Sequence, residues 1–166
     1  MDRVYVSGRL TNELQLKQLR DYLWVVTGAE EFYKKKKPHM TLVPGFTVKD
    51  GRMDRVRNII DNHRFRNRKI QVNRISVYEN IHKPYVVQLD IEHGFHDELE
   101  HMIDQLDRHA KTSINYPNSP HITLYKTKGY WDTIPRDRKK RLQEEIMSGV
   151  GIRDTQISRV KIRTIE

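Results

Sequence analysis

One short pattern with chemical potential occurs twice in the chain. Residues 38–42 read Pro-His-Met-Thr-Leu, and residues 120–124, 82 positions further on, read Pro-His-Ile-Thr-Leu. An imidazole titrates near neutral pH, so one histidine can take a proton while a second gives one. A hydroxyl can donate a hydrogen bond to an oxygen on which negative charge develops. Two such histidines and two such threonines, brought together, would suit cleavage of a phosphodiester without a metal ion.

The spacing within each copy predicts that its polar residues share one side of a β-strand. Side chains at positions i and i+2 of a strand point to the same face. His39 and Thr41 would therefore point one way, while the residues between and beyond them enter the core. His121 and Thr123 follow the same rule in the second copy. We predict that these four residues are the catalytic groups, and that the two strands bring them into one cleft.

The patterns around both copies predict the order β-α-β-α-β-β-α-β-α-β. Strands are expected over residues 3–10, 39–43, 69–78, 85–91, 121–125 and 157–165, with helices in four of the intervening segments. The first copy's strand is expected to stop at Pro44–Gly45. A change of phase at Asn73–Arg74 predicts a bulge or short break. This order indicates an α+β fold with antiparallel or mixed sheets and helices packed outside.

Length and charge narrow the class of protein. The 166 residues suffice for one domain, or for two small lobes that share a core. The net charge of +9 is confined to residues 1–83, which hold 18 Lys or Arg and 9 Asp or Glu, whereas residues 84–166 hold 13 of each. Such an imbalance favours an anionic partner such as nucleic acid. We therefore expect the first half of the chain to hold the polyanionic part of a substrate.

Several classes of protein are excluded. The chain has no cysteine, so it has no disulfide framework, no Cys-ligated zinc and no cysteine nucleophile. No apolar run approaches the ~20 residues of a membrane span, and the N-terminus lacks the apolar stretch of a signal peptide. We expect a cytoplasmic monomer without membrane contact. His93, His96 and His101 do not have the spacing of a zinc site, so we expect no metal and no cofactor.

The doubled His-x-Thr-Leu, on strands of an α+β chain of this length, resembles the two-histidine (2H) phosphoesterase superfamily over almost the whole chain. The resemblance implies one domain, residues 1–166, with two pseudo-symmetric lobes, each an antiparallel sheet with outer helices, around a central groove. It implies catalysis by His39, Thr41, His121 and Thr123 without a metal ion. The expected activity is that of a phosphodiesterase on RNA-type nucleotides, at 2′,3′-cyclic phosphate ends or 2′-5′ linkages. The alternatives are cleavage of cyclic di- or trinucleotide immune signals (a viral anti-defence activity), RNA 2′-5′ ligation, and RNA binding without catalysis.

Four further residues are predicted to bind the substrate. Tyr5 belongs to the polar face of the first strand, and Tyr125 alternates in phase with Thr123. Lys37 ends a run of four lysines that leads directly into the first copy of the motif. Trp131 follows the second copy, in a loop where an aromatic ring can stack on a base.

Overall fold

The computed structural model describes residues 2–27, 38–78, 85–117, 120–127, 135–138, 140–141, 144 and 152–165. Its elements follow the predicted order: β1 (Arg3–Leu10), α1 (Glu13–Thr27), β2 (His39–Thr47), α2 (Met53–Asn62), β3 (Lys69–Tyr78), β4 (Tyr85–His93), α3 (His96–Asp107), β5 (His121–Thr127) and β6 (Asp154–Thr164). Residues 136–138, 140–141 and 144 are also helical, which agrees with the helix predicted after Pro135. The fold therefore mixes helices with an antiparallel sheet, as the sequence predicted.

The six strands form one closed sheet in the order β1-β2-β5-β4-β3-β6, and all neighbours are antiparallel. The family resemblance implied a separate sheet for each lobe, and the single closed sheet differs from that expectation. Along the chain, the last strand of each half pairs with the first strand of the other half: β6 pairs with β1, and β3 pairs with β4. Two joints in the ring are narrow. β2 meets β5 only where Met40 lies opposite Ile122, and β3 meets β6 at three positions.

Two irregularities in the strands bear on the predicted boundaries. The register between β3 and β4 shifts between Val72 and Arg74, so the predicted bulge is confirmed. The predicted stop at Pro44–Gly45 is wrong, because β2 continues to Thr47. Its pairing with β1 shifts there instead, with Val43 opposite Val6 and Phe46 opposite Val4. A bulge accommodates proline in a strand, since a bulged residue need not donate to the ladder.

The closed sheet has one apolar face and one polar face. The apolar face supplies the centre of a single hydrophobic core, which the helices complete with residues such as Leu16, Val56 and Leu99. Each such fully buried side chain contributes about 2 kcal/mol by leaving water. We call the polar side the motif face, because it carries the alternate positions of β2 and β5 that hold His39, Thr41, His121 and Thr123. None of the described helices is both long and apolar enough to cross a bilayer.

Candidate active site

Both copies of the motif lie on strands in the predicted alternation. Met40 and Ile122, the middle residues of the two copies, are fully buried in the core. His39 and Thr41, which flank Met40, are half-buried, as are His121 and Thr123 around Ile122. Each strand therefore presents one imidazole and one hydroxyl on the motif face and anchors them through the residue between.

The joint between β2 and β5 places the two copies side by side. Met40 lies opposite Ile122 in an antiparallel pairing. Counting outward from that pair sets His39 level with Thr123, and Thr41 level with His121. The histidines thus occupy one diagonal of a four-residue square and the threonines the other. Diagonal positions of an antiparallel pair are about 7–8 Å apart, which leaves room for a phosphoryl group between the two imidazoles.

The neighbours of the first motif are set by the pairing of β1 with β2. Arg9 lies opposite His39, and Ser7 lies opposite Thr41. Arg9 is tied to Glu13 at the start of α1 by two hydrogen bonds from Nη2, of 3.0 and 2.9 Å. The ring centre of Tyr5 lies 5.9 Å from that of His39. Tyr5 therefore lies beside the first motif, whereas its contact with substrate stays a prediction.

The neighbours of the second motif are set by the pairing of β4 with β5. Asp90 lies opposite His121, and Gln88 lies opposite Thr123. The Asp90 carboxylate accepts hydrogen bonds from Arg74 Nε and Ser76 Oγ, both at 2.8 Å, and from Gln88 Nε2 at 3.1 Å. Partial burial would raise the pKa of Asp90, but these bonds and the Arg74 charge outweigh it and lower the pKa from 3.8. Asp90 is therefore an ionised, fixed group beside His121.

A cavity of about 660 Å³ opens on this second side of the site. Its wall includes His121 and Thr123 together with Arg74, Gln88 and Asp90, and Val86, Ile91 and Pro120 add apolar surface. Such a mixture of a few fixed polar groups with apolar walls is typical of small-molecule sites. The volume is ample for a nucleoside next to the second motif.

Sequence reasoning missed Arg9, Gln88 and Asp90 as neighbours of the motifs. All three lie on the polar phase of β1 or β4, and that alternation is visible in the sequence. Their positions opposite His39, Thr123 and His121 depend on strand register, which alternation alone does not give.

Three of the predicted substrate-binding residues receive no structural description of their side chains. Lys37 and Trp131 lie outside the described residues, as does the rest of the lysine run. The backbone of Tyr125 lies opposite Val87, and the register shifts between Val87 and Gln88. The simple alternation that links Tyr125 to Thr123 is therefore interrupted between them.

A second group of histidines lies away from the motifs. His93 ends β4 and is only 8% exposed. Its ring stacks on the ring of Phe95, with 3.9 Å between the ring centres, and contacts the ring of His96, with 4.1 Å between the ring centres. Among the described residues, no three His, Cys, Asp or Glu side chains are arranged to hold a metal ion.

The chain matches no protein-family model and no curated protein in sequence. It does match solved structures. Kluyveromyces marxianus Usb1, determined with uridine monophosphate, is similar with a TM-score of 0.61 and 12% identity, over 98% of this chain and 93% of that chain. The MHV ns2 PDE domain is similar with a TM-score of 0.60 and 12% identity, over 100% of both chains. The chain therefore has the fold that these two proteins share.

Proposed function

We propose that this protein is a metal-independent phosphodiesterase of the 2H phosphoesterase type, which acts on RNA-type nucleotides at 2′,3′-cyclic phosphate ends or 2′-5′ linkages. The observation that carries the proposal is the pairing of Met40 with Ile122, because it sets two His-x-Thr motifs side by side on one face of the sheet. The shared fold supports it, since one similar protein is a PDE domain and another was determined with a nucleotide.

The diagonal arrangement suits acid-base cleavage. One imidazole takes a proton from the attacking oxygen as the new P–O bond forms; that oxygen belongs to water or, at a 2′-5′ linkage, to the neighbouring ribose 3′-hydroxyl. The imidazolium on the other strand gives its proton to the leaving oxygen as the old P–O bond breaks. Thr41 and Thr123 donate hydrogen bonds to the nonbridging oxygens, where charge accumulates. The two histidines exchange protonation states in the process, and solvent restores them.

The finer architecture belongs to the same proposal: two pseudo-symmetric lobes with a groove between them, in one domain. Matching strand positions support it. β1 lies between β6 and β2 as β4 lies between β3 and β5. The two narrow joints, between β2 and β5 and between β3 and β6, divide the closed sheet into the groups β6-β1-β2 and β3-β4-β5. In this proposal the motif faces of the halves form the groove, and Tyr5, Tyr125, Lys37 and Trp131 contact the substrate in or beside it.

The activity is tested on a panel in the presence of EDTA. The panel contains 2′,3′-cyclic mononucleotides, an oligonucleotide with a 2′,3′-cyclic end, 2′-5′ oligoadenylate, 3′-5′ RNA and cyclic dinucleotides, and the product ends are identified. We expect His39→Ala and His121→Ala each to lower kcat by about 10²- to 10⁴-fold, the usual contribution of a general acid or base. Exposed His101 supplies the control, since His101→Ala removes an imidazole that belongs to α3 and to neither motif.

Each contrary result has a defined meaning. Loss of activity in EDTA would contradict the metal-independent mechanism. Near-normal turnover by either motif variant, with an unchanged melting temperature, would contradict the assigned roles. Tight RNA binding without cleavage of any panel member would favour a binding module. A joined product from a cyclic-phosphate end and a 5′-hydroxyl would indicate ligation.

A further inference from the structure

On the motif face, β6, β1 and β2 form a first half and β3, β4 and β5 form a second half. The two halves correspond position by position but differ in charge. In the first half, Arg159 of β6 lies opposite Arg9, which lies opposite His39. In the second half, Arg74 lies opposite Asp90, which lies opposite His121. The neighbouring rows, each running into a threonine of the motif, are Lys161–Ser7–Thr41 and Ser76–Gln88–Thr123.

The first half has an excess of positive charge on this face. Three cations follow one another on the same side of β6 at alternate positions: Arg159, Lys161 and Arg163. The residues between them, Val160 and Ile162, pack against the core instead. Within the described part of the chain, no carboxylate forms an ion pair with Arg159 or Arg163. Arg163 also lies opposite Tyr5, whose ring is beside His39.

The second half has no such excess. Its single cation in the corresponding rows, Arg74, is bound to Asp90 at 2.8 Å. The other members of those rows, Ser76 and Gln88, are neutral and also donate to Asp90. Glu92 adds a further negative charge to the wall of the cavity. An additional phosphate would therefore be attracted to the first half and repelled from the second.

We propose that Arg159, Lys161 and Arg163 form a second phosphate site beside the first motif, so that the preferred substrate carries a phosphate in addition to the one that reacts. The inference deepens the proposed function and rests on it. β6 is two strands away from β2, about 10 Å at the usual strand spacing. Long Lys and Arg side chains can reach a phosphate one nucleotide away from the reacting group across that distance.

The site discriminates among the substrates left open by the motifs. A 2′,3′-cyclic mononucleotide has only the reacting phosphate and would leave the second site empty. An oligonucleotide with a cyclic end, a 2′-5′ oligonucleotide or a cyclic oligonucleotide would fill both sites. The class selected is therefore an oligonucleotide, with its additional phosphate over β6.

The test compares two substrates that differ by one nucleotide, 2′,3′-cyclic AMP and the dinucleotide ApA with a 2′,3′-cyclic end. The variant is Arg159→Gln/Lys161→Gln/Arg163→Gln. Its control, Arg57→Gln/Arg64→Gln/Arg66→Gln, removes the same charge from exposed arginines of α2 and the loop after it. We expect the β6 variant to lower kcat/KM for the dinucleotide about tenfold or more, which is the effect of roughly one lost charge-assisted contact. For 2′,3′-cyclic AMP we expect kcat/KM to fall less than about twofold.

Other outcomes overturn the proposal. An equal loss on both substrates, or the same selective loss in the control variant, would contradict a phosphate site on β6. If neither substrate is cleaved, the proposed activity on 2′,3′-cyclic ends fails, and equilibrium binding of 3′-phosphorylated ApA and of 3′-AMP then decides whether the second phosphate site exists. Selective weakening of dinucleotide binding in the β6 variant would support the second phosphate site, and unchanged binding would overturn it.

Discussion

Asp90 lies next to the second motif, and hydrogen bonds hold its carboxylate in place. Three donors converge on its carboxylate, and the residue opposite it is His121. We expect Asp90→Asn to lower kcat about tenfold, because an amide cannot accept all three bonds and leaves the Arg74 charge uncompensated beside His121; bonds to charged groups are worth about 1.5–3 kcal/mol. The measurement is steady-state kinetics, with kcat and KM determined separately.

Ser76→Ala is the matched control for Asp90→Asn. It removes one of the three donors but keeps the carboxylate and the Arg74 ion pair, so kcat should change less than threefold, or by about 0.6 kcal/mol, which is the low end of what one hydrogen bond contributes. A role of Asp90 in stability alone would lower the melting temperature and leave kcat of the folded variant at the wild-type value. That result would contradict a positioning role.

At the scale of single residues, sequence predicts what a short motif fixes and no more. Sequence predicts His39, Thr41, His121 and Thr123 because two pentapeptides that differ only at their middle residue repeat the same alternation. Arg9 and Asp90 have ordinary identities at ordinary strand positions, and only the register of the neighbouring strand places them opposite the two histidines. Register depends on bulges such as those in β2 and β5, which local sequence marks weakly.

The junction between β4 and α3 is built on a buried histidine. Burial, with a smaller effect of the His96 charge, lowers the pKa of His93 from 6.5 to about 4. The unfolded chain therefore takes up a proton on this residue between pH 6.5 and 4, while the folded chain does not. The contribution of neutral His93 to stability is complete above pH 6.5 and is lost as the pH falls through that window, by about 3 kcal/mol in all.

Urea unfolding at pH 7.5 and pH 4.5 measures this loss. His93→Asn retains an acceptor for the Phe95 backbone N–H, which the His93 Nδ1 accepts at 3.4 Å. We expect the variant to lose about 2–3 kcal/mol less than wild type between the two pH values, because it has no proton to take up. His101→Asn, on the exposed face of α3, should behave as wild type. Equal pH dependence in all three proteins would be inconsistent with a neutral buried His93.

At the scale of elements, the sequence predicts which segments are strands and helices but not how the strands close. Alternation identifies all six strands, including the phase change before Arg74. It also places β3 and β6 at the ends of their halves. Nothing in either strand indicates that each pairs with the opposite half, since that pairing depends on long-range contacts such as Ile70 with Thr155. One closed sheet rather than two is the consequence.

The pairing of β6 with β1 gives the molecule a distribution of charge in space that differs from its distribution along the chain. Counted along the chain, all of the +9 excess belongs to residues 1–83. In space, Arg159, Lys161 and Arg163 join the first motif, because β6 pairs with β1. The second motif keeps a row in which Arg74 and Asp90 neutralise each other. The charge count along the chain therefore underestimates the difference in positive charge between the surroundings of the first motif and those of the second.

A charged substrate bound across such a face should compete with salt. Each phosphate contacted on a single strand contributes roughly −0.7 to the slope of log affinity against log salt concentration. We expect log kcat/KM for the cyclic-ended dinucleotide to fall more steeply with salt than that for 2′,3′-cyclic AMP, by roughly 0.7 for the one additional phosphate. Measurement from 50 to 400 mM potassium chloride under subsaturating substrate gives both slopes. The difference should disappear in the β6 variant and persist in the α2 control. Parallel slopes in wild type would mean that the second phosphate is not held by charge, whatever the absolute preference between the two substrates.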